Sequence, residues 1–102
     1  MKDKLDELFR KQKEFQDVCN LHPELKDICA ALMAEGGELW GKVGGKWWKK
    51  HKTSTEEQIE ELVDILHFFL TACLALHVSP KELFDSYCKK LDINYKRHKE
   101  GY

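Results

Sequence analysis

The sequence predicts an all-α fold, a four-helix bundle formed by residues 1–102 as one domain and completed by a second copy of the chain. Three observations predict it. Apolar residues recur at three- and four-residue spacing almost everywhere, the mark of helices with a buried stripe. Proline occurs only at Pro23 and Pro80, so long helices run uninterrupted. No segment alternates convincingly between polar and apolar residues as a half-buried strand would.

The first helix carries Leu5, Leu8, Phe9, Phe15, Val18 and Cys19 and is expected to end near Asn20 to His22. Pro23 is expected to open the second helix, with Glu24 and Asp27 at its positive end. Leu25, Ile28, Leu32, Glu35 and Leu39 then follow a heptad spacing, and Gly44 and Gly45 stop that helix or the segment after it. Gly36 and Gly37 sit inside it, each costing about 1 kcal/mol relative to alanine, which implies close approach by a backbone or a ligand. Ser54 with Glu57 forms a capping box at the start of the third helix, which runs to about His77. Ser79, Pro80 and Glu82 start the fourth, which carries Leu83, Phe84, Tyr87 and Leu91 and ends near Gly101. The third helix is apolar on nearly all sides from Leu62 to Leu76, where a lone surface helix would show a polar stripe. A two-fold homodimer, or a dimer of dimers, is the simplest cover for it.

Composition narrows the function. Hydrophobic residues make up 42% and charged residues 34%, a balance that excludes a disordered chain. The formal net charge of -1 gives no global positive field for nucleic acid. Basic residues nevertheless cluster: of 17, five fall between Lys42 and Lys52 and five between Lys89 and Lys99, as local anion sites or as solvated helix ends. Cys19, Cys29, Cys73 and Cys88 show no metal-binding spacing and have mostly apolar neighbours, so buried reduced thiols are expected. The charged opening from Met1 to Arg10 does not read as a signal peptide, and the longest apolar stretch is too short to span a bilayer comfortably. A cytoplasmic protein with no membrane partner is the expectation.

Two acidic residues interrupt apolar stripes. Glu35 takes a slot where the rhythm of the second helix calls for an apolar side chain, and Asp64 sits between Val63 and Ile65. A buried unpaired carboxylate is costly, so each needs a partner. Glu35 and Glu38 are three residues apart, and so are Glu61 and Asp64, which puts each pair on one helix face. If the two helices pack antiparallel, four carboxylates converge, and a hard divalent cation such as magnesium would relieve their repulsion. Salt bridges to lysines are the competing arrangement.

Three segments, E-G-G-E-L-W from Glu35 to Trp40, K-W-W-K from Lys46 to Lys49 and E-E-L-V-D-I-L-H-F-F-L from Glu60 to Leu70, resemble the signature of dimeric dUTPases, within the wider MazG-like superfamily of all-helical nucleoside-triphosphate pyrophosphatases. The tail from Lys89 to Tyr102 looks like that family's ending, and L-F-R-K-Q-K-E-F-Q near the start resembles its Q-x-x-L-N stretch. The resemblance implies hydrolysis of dUTP to dUMP and pyrophosphate. It implies magnesium, with manganese as the alternative, on Glu35, Glu38, Glu61 and Asp64, and Glu38, or else Glu35, acting on the attacking water. Lys46, Lys49, Lys89 or Lys90 and Arg97 would hold the phosphate chain. Gln12 and Gln16 would read the base, Trp47 or Trp48 with His67 and Phe68 would enclose the nucleoside, and Asn94 would lie near sugar or phosphates. Gln16 stands where the family usually has asparagine, and Lys42 where many relatives carry another acidic residue, which weakens or removes a second metal site. The longer glutamine keeps open a pyrophosphatase acting on dCTP or modified nucleotides. The basic residues around Trp47 and Trp48 keep open a helical module binding single-stranded nucleic acid or protein.

Overall fold

A computed structural model describes residues 3–49 and 53–101. It contains α1 (Lys4–Cys19), α2 (Leu25–Lys42), α3 (Thr55–Ala75) and α4 (Pro80–Lys99), with no strand among the described residues. The expected all-α fold with four helices is therefore present. Lys50, His51, Lys52 and Tyr102, part of the basic segment and of the tail, lie outside the described residues.

Local chemistry sets most of the boundaries. Asp3 caps α1 by accepting from the Leu5 N–H at 2.8 Å, and Asn20 closes it in the left-handed conformation, φ 54°. The α2 boundary differs from expectation. Glu24 is extended, at φ -73° and ψ 152°, so helical geometry begins only at Leu25 and Pro23 belongs to the connection. Val43 caps the other end of α2 and Gly44 turns the chain at φ 87°, as the glycine pair predicts. At α3 the Ser54 hydroxyl oxygen accepts from the Glu57 N–H at 3.2 Å, while the Glu57 carboxylate accepts from the Ser54 hydroxyl rather than completing the box. The reciprocal box is complete at α4, where Ser79 and Glu82 cap one another behind Pro80.

Helices α2 and α3 form the main packed pair. The end of α2 lies beside the start of α3, because the Lys42 carbonyl accepts from the Thr53 N–H at 3.2 Å and the Thr53 hydroxyl at 3.0 Å. The two helices therefore run antiparallel. Helix α1 packs on α3, with Phe9, Leu70 and Cys73 forming a small core flanked by Leu5, Leu74, Val78 and Leu83. Helix α4 turns 106° from α3, and among the described helices its backbone runs beside α1, with Leu83 reaching the core.

The bundle is thus not closed within one chain. The radius of gyration is 16.7 Å, against about 13 Å for a compact domain of this length. Ile59, Leu62, Val63, Leu66 and Phe69 on α3 are exposed, as are Phe15 and Val18 on α1. Of the heptad residues on α2 only Ile28 is fully buried. The thiols depart from expectation as well. All four are free, but only Cys73 is buried, and Cys19 and Cys29 are exposed because the helix faces carrying them meet nothing in this chain. Gly36 and Gly37 also differ from the sequence reading: a Cβ at either would meet nothing within 4 Å among the described residues. No single described helix is long and apolar enough to cross a membrane.

Candidate functional site

The antiparallel α2–α3 pair brings Glu35, Glu38 and Glu61 together, with one carboxylate oxygen from each within 4.8 Å of the others. The i, i+3 spacing puts Glu35 and Glu38 on the face of α2 that meets Glu61 on α3. Glu61 is 1% exposed, Glu35 is half-buried and Glu38 faces solvent. Asp64, the fourth expected ligand, is not part of this triad. It is exposed one helical turn further along α3, beside a groove, although its charge still reaches Lys42.

The triad is electrostatically crowded. A hydrogen bond with Glu61, then burial, then the neighbouring Glu38 push the Glu35 carboxyl up to about 7. The same shared proton holds Glu61 below the ordinary carboxylate range, and Lys42 adds to that effect against burial. Lys42 Nζ lies 3.2 Å from Glu61 Oε1, and the ammonium is held above its usual value chiefly by that contact. The lysine pairing expected as the alternative to a metal therefore does occur, but for one carboxylate of the three. Glu35 Oε2 and both Glu61 oxygens are buried, and beyond the Lys42 contact and the shared proton no described group donates to them. Buried acceptors left in that state require a cation or a proton. Three hard oxygen donors facing one point fit magnesium, which tolerates a few carboxylates and keeps several waters.

One turn along α3 from Glu61, at Asp64, begins an open groove of about 750 Å³ lined by Gln12, Phe15, Gln16, Asp64, His67 and Phe68, with Thr71 and the Asn20–Pro23 connection also lining it. Four residues expected to meet the base thus share one cavity. A hydrogen-bond network connects Gln12, Gln16 and His67 with Thr71: His67 Nδ1 lies 2.7 Å from Gln12 Oε1, and Gln12 Nε2 lies 3.3 Å from Gln16 Oε1 and 3.2 Å from Thr71 Oγ1. Thr71 was missed by sequence reasoning. A lone hydroxyl in an apolar run, one turn after His67, was the available signal.

The remaining expected residues are dispersed. Trp40, Trp47 and Trp48 cluster after α2, with ring centroids 6.2 Å apart for Trp40–Trp48 and 5.6 Å for Trp47–Trp48. Trp47 is 85% exposed and Trp48 57%, so neither is core. Lys46 folds back along α2 near Gly41, while Lys49 is exposed. Lys89, Lys90, Asn94 and Arg97 lie on α4, whose backbone runs beside neither α2 nor α3. The turn after α3 carries this helix away from the α2–α3 pair that holds the carboxylates.

The profile of a protein family described as dUTPase matches residues 1–82, which include the triad, the groove and the tryptophans and stop short of Lys89. No curated protein and no solved structure matches the chain. With most of its length matched, and with the carboxylates and amides gathered as described, the chain belongs to the dimeric dUTPase family and is a nucleotide pyrophosphohydrolase of that kind.

Proposed function

We propose that the protein hydrolyses dUTP to dUMP and pyrophosphate with magnesium held by Glu35, Glu38 and Glu61 and, once an ion draws it in, Asp64. The observation that carries this reading is the triad of converging carboxylates at the α2–α3 seam, with Asp64 one turn away on the rim of a groove lined with amides and an imidazole. The bound ion supplies charge neutralisation at the phosphate oxygens, which is most of what phosphoryl transfer requires. Glu38 is the most exposed of the three carboxylates, so it is the one able to orient or deprotonate the attacking water. Lys46 and Lys49 hold the phosphate chain, and Trp47 or Trp48 closes over the nucleoside with His67 and Phe68. Four free thiols suit a reducing cytoplasm.

The site is completed by a second copy of the chain. The accessible surface is 8507 Å² for a chain of 12.0 kDa, whereas a compact monomer of that mass exposes about 6,000 Å². The excess of about 2,500 Å² is the scale of an obligate homodimer interface. The α4 residues Lys89, Lys90, Asn94 and Arg97 then serve the partner's nucleotide rather than their own.

Pyrophosphate release from each deoxynucleoside triphosphate in turn, with magnesium and with EDTA, tests the reading. Cleavage of dUTP alone, only with metal and lost in Glu38→Gln with folding intact, supports it. An amide can pair with either pyrimidine, so cleavage of dCTP as well moves the assignment to a broader pyrimidine pyrophosphatase. No cleavage, with salt-sensitive oligonucleotide binding retained in the variant, overturns the enzymatic reading.

A further inference from the structure

We propose that Thr71 is a positioning residue that, together with a Gln16 amide fixed from the Leu21 carbonyl, holds the polarity of the Gln12 amide and through it the tautomer of His67, and so tunes which pyrimidine the groove accepts. The specificity part rests on the nucleotide reading above; the tautomer does not. The chain of hydrogen bonds is anchored at both ends by backbone carbonyls, which only accept. At one end Gln16 Nε2 donates to the Leu21 carbonyl at 3.3 Å, so the Gln16 amide has its nitrogen on Leu21 and its oxygen turned inward. That oxygen accepts from Gln12 Nε2 at 3.3 Å. At the other end the Thr71 hydroxyl donates to the His67 carbonyl at 2.7 Å, so Thr71 Oγ1 is left to accept, and it takes the second Gln12 N–H at 3.2 Å.

Gln12 is therefore held from two sides with its nitrogen toward Thr71 and Gln16 and its oxygen toward His67. Turning its amide over would set its oxygen against the Gln16 oxygen and leave Thr71 Oγ1 without a donor. Gln12 Oε1 lies 2.7 Å from His67 Nδ1, and an amide oxygen accepts, so Nδ1 carries the proton. In that tautomer Nε2 is the ring's acceptor. Gln12 and Thr71 are 59 residues apart in the chain, so the lock exists only when α1 and α3 are docked.

The lock bears on base choice. After donating to Leu21 and accepting from Gln12, Gln16 keeps one N–H and one oxygen lone pair on an amide of fixed polarity. Uracil presents an acceptor at position 4 and a donor at position 3; cytosine presents the reverse. A freely turning amide serves both, whereas a fixed one matches one base and opposes the other in a given register.

The test needs the full-length protein, nuclear magnetic resonance and two variants. Long-range proton–nitrogen correlation of the wild-type His67 ring is expected to show the proton on Nδ1; a proton on Nε2 overturns the proposal without any variant. Thr71→Val keeps shape and removes the hydroxyl. It is expected to give mixed His67 tautomers and to lower the ratio of kcat/KM for the preferred over the disfavoured pyrimidine triphosphate about tenfold, the scale of one neutral hydrogen bond. Thr71→Ser is expected to restore both. An unchanged ring and ratio in Thr71→Val refute the role. A wild-type protein that cleaves neither dUTP nor dCTP refutes the nucleotide reading and the specificity role together, while the tautomer assignment stands or falls on the spectrum alone.

Discussion

Magnesium binding is expected to expel a proton, and the structure sets how many. Without a cation, Glu35 holds a proton that it shares with Glu61, because the hydrogen bond between them, burial and the nearby Glu38 push the Glu35 carboxyl up to about 7. A divalent ion requires both carboxylates ionised, so it competes with that proton. A group titrating near neutrality gives release of about 0.9 proton per ion at pH 6, about 0.5 at pH 7 and about 0.1 at pH 8. The apparent affinity is then about elevenfold weaker at pH 6 than at high pH, and about twofold weaker at pH 7. Calorimetric titration of magnesium in two buffers of different ionisation heat counts the protons directly. Release that is negligible at pH 6, or that survives in Glu35→Gln, would refute the reasoning. Stability follows the same group with a definite sign. A carboxyl raised from 4.5 to about 7 contributes stability that is complete below pH 4.5 and is lost as pH rises through 7. The metal-free protein should melt at a lower temperature at pH 8 than at pH 5, and magnesium should reverse the fall.

Three further outcomes follow from the packing. Lys42→Met removes the cation beside Glu61, so the metal-free protein should melt lower than wild type, while magnesium should raise its melting temperature by more; equal shifts in the two proteins would show that Lys42 does not compete with the ion. Gly37→Ala meets nothing within 4 Å among the described residues and should stabilise α2 by about 1 kcal/mol in urea unfolding. If pyrophosphate release is lost at the same time, the bare strip between Glu35 and Glu38 is needed by the nucleotide or by the partner. Gly45→Ala places a methyl group against the Trp40 indole, which must shift and so change its contact with Trp48. Tryptophan emission should shift, and an unchanged spectrum would contradict the packing of Gly45 under Trp40.

Much of this arrangement is legible in the sequence where the determining chemistry is local. Ser79, Pro80 and Glu82 specify the start of α4 within four residues, and the structure reproduces it. The carboxylates were legible because Glu35 breaks an apolar rhythm, and the two i, i+3 pairs required only that α2 and α3 run antiparallel. What the sequence could not supply depends on distance along the chain. Pro23 reads as a helix start, yet the chain after α1 is held by the Leu21 N–H on the Gln16 carbonyl and by the Gln16 side chain on the Leu21 carbonyl, and helix begins only at Leu25. Helical spacing puts Asp64 on the Glu61 face without saying that it would look toward the groove. The link from Gln12 to Thr71 joins residues that no window on the sequence contains together.

The thin interior has a consequence beyond the site. Among the described residues the buried apolar side chains are Phe9, Ile28, Leu70 and Cys73, a core from which one chain gains little by folding alone. If a second chain covers the apolar face of α3, as proposed above, folding and pairing become one reaction governed by mass action. Its midpoint of unfolding then climbs with protein concentration, dilution acts as a mild denaturant, and the rate of synthesis in a cell sets how much of the protein is folded as well as how much is present.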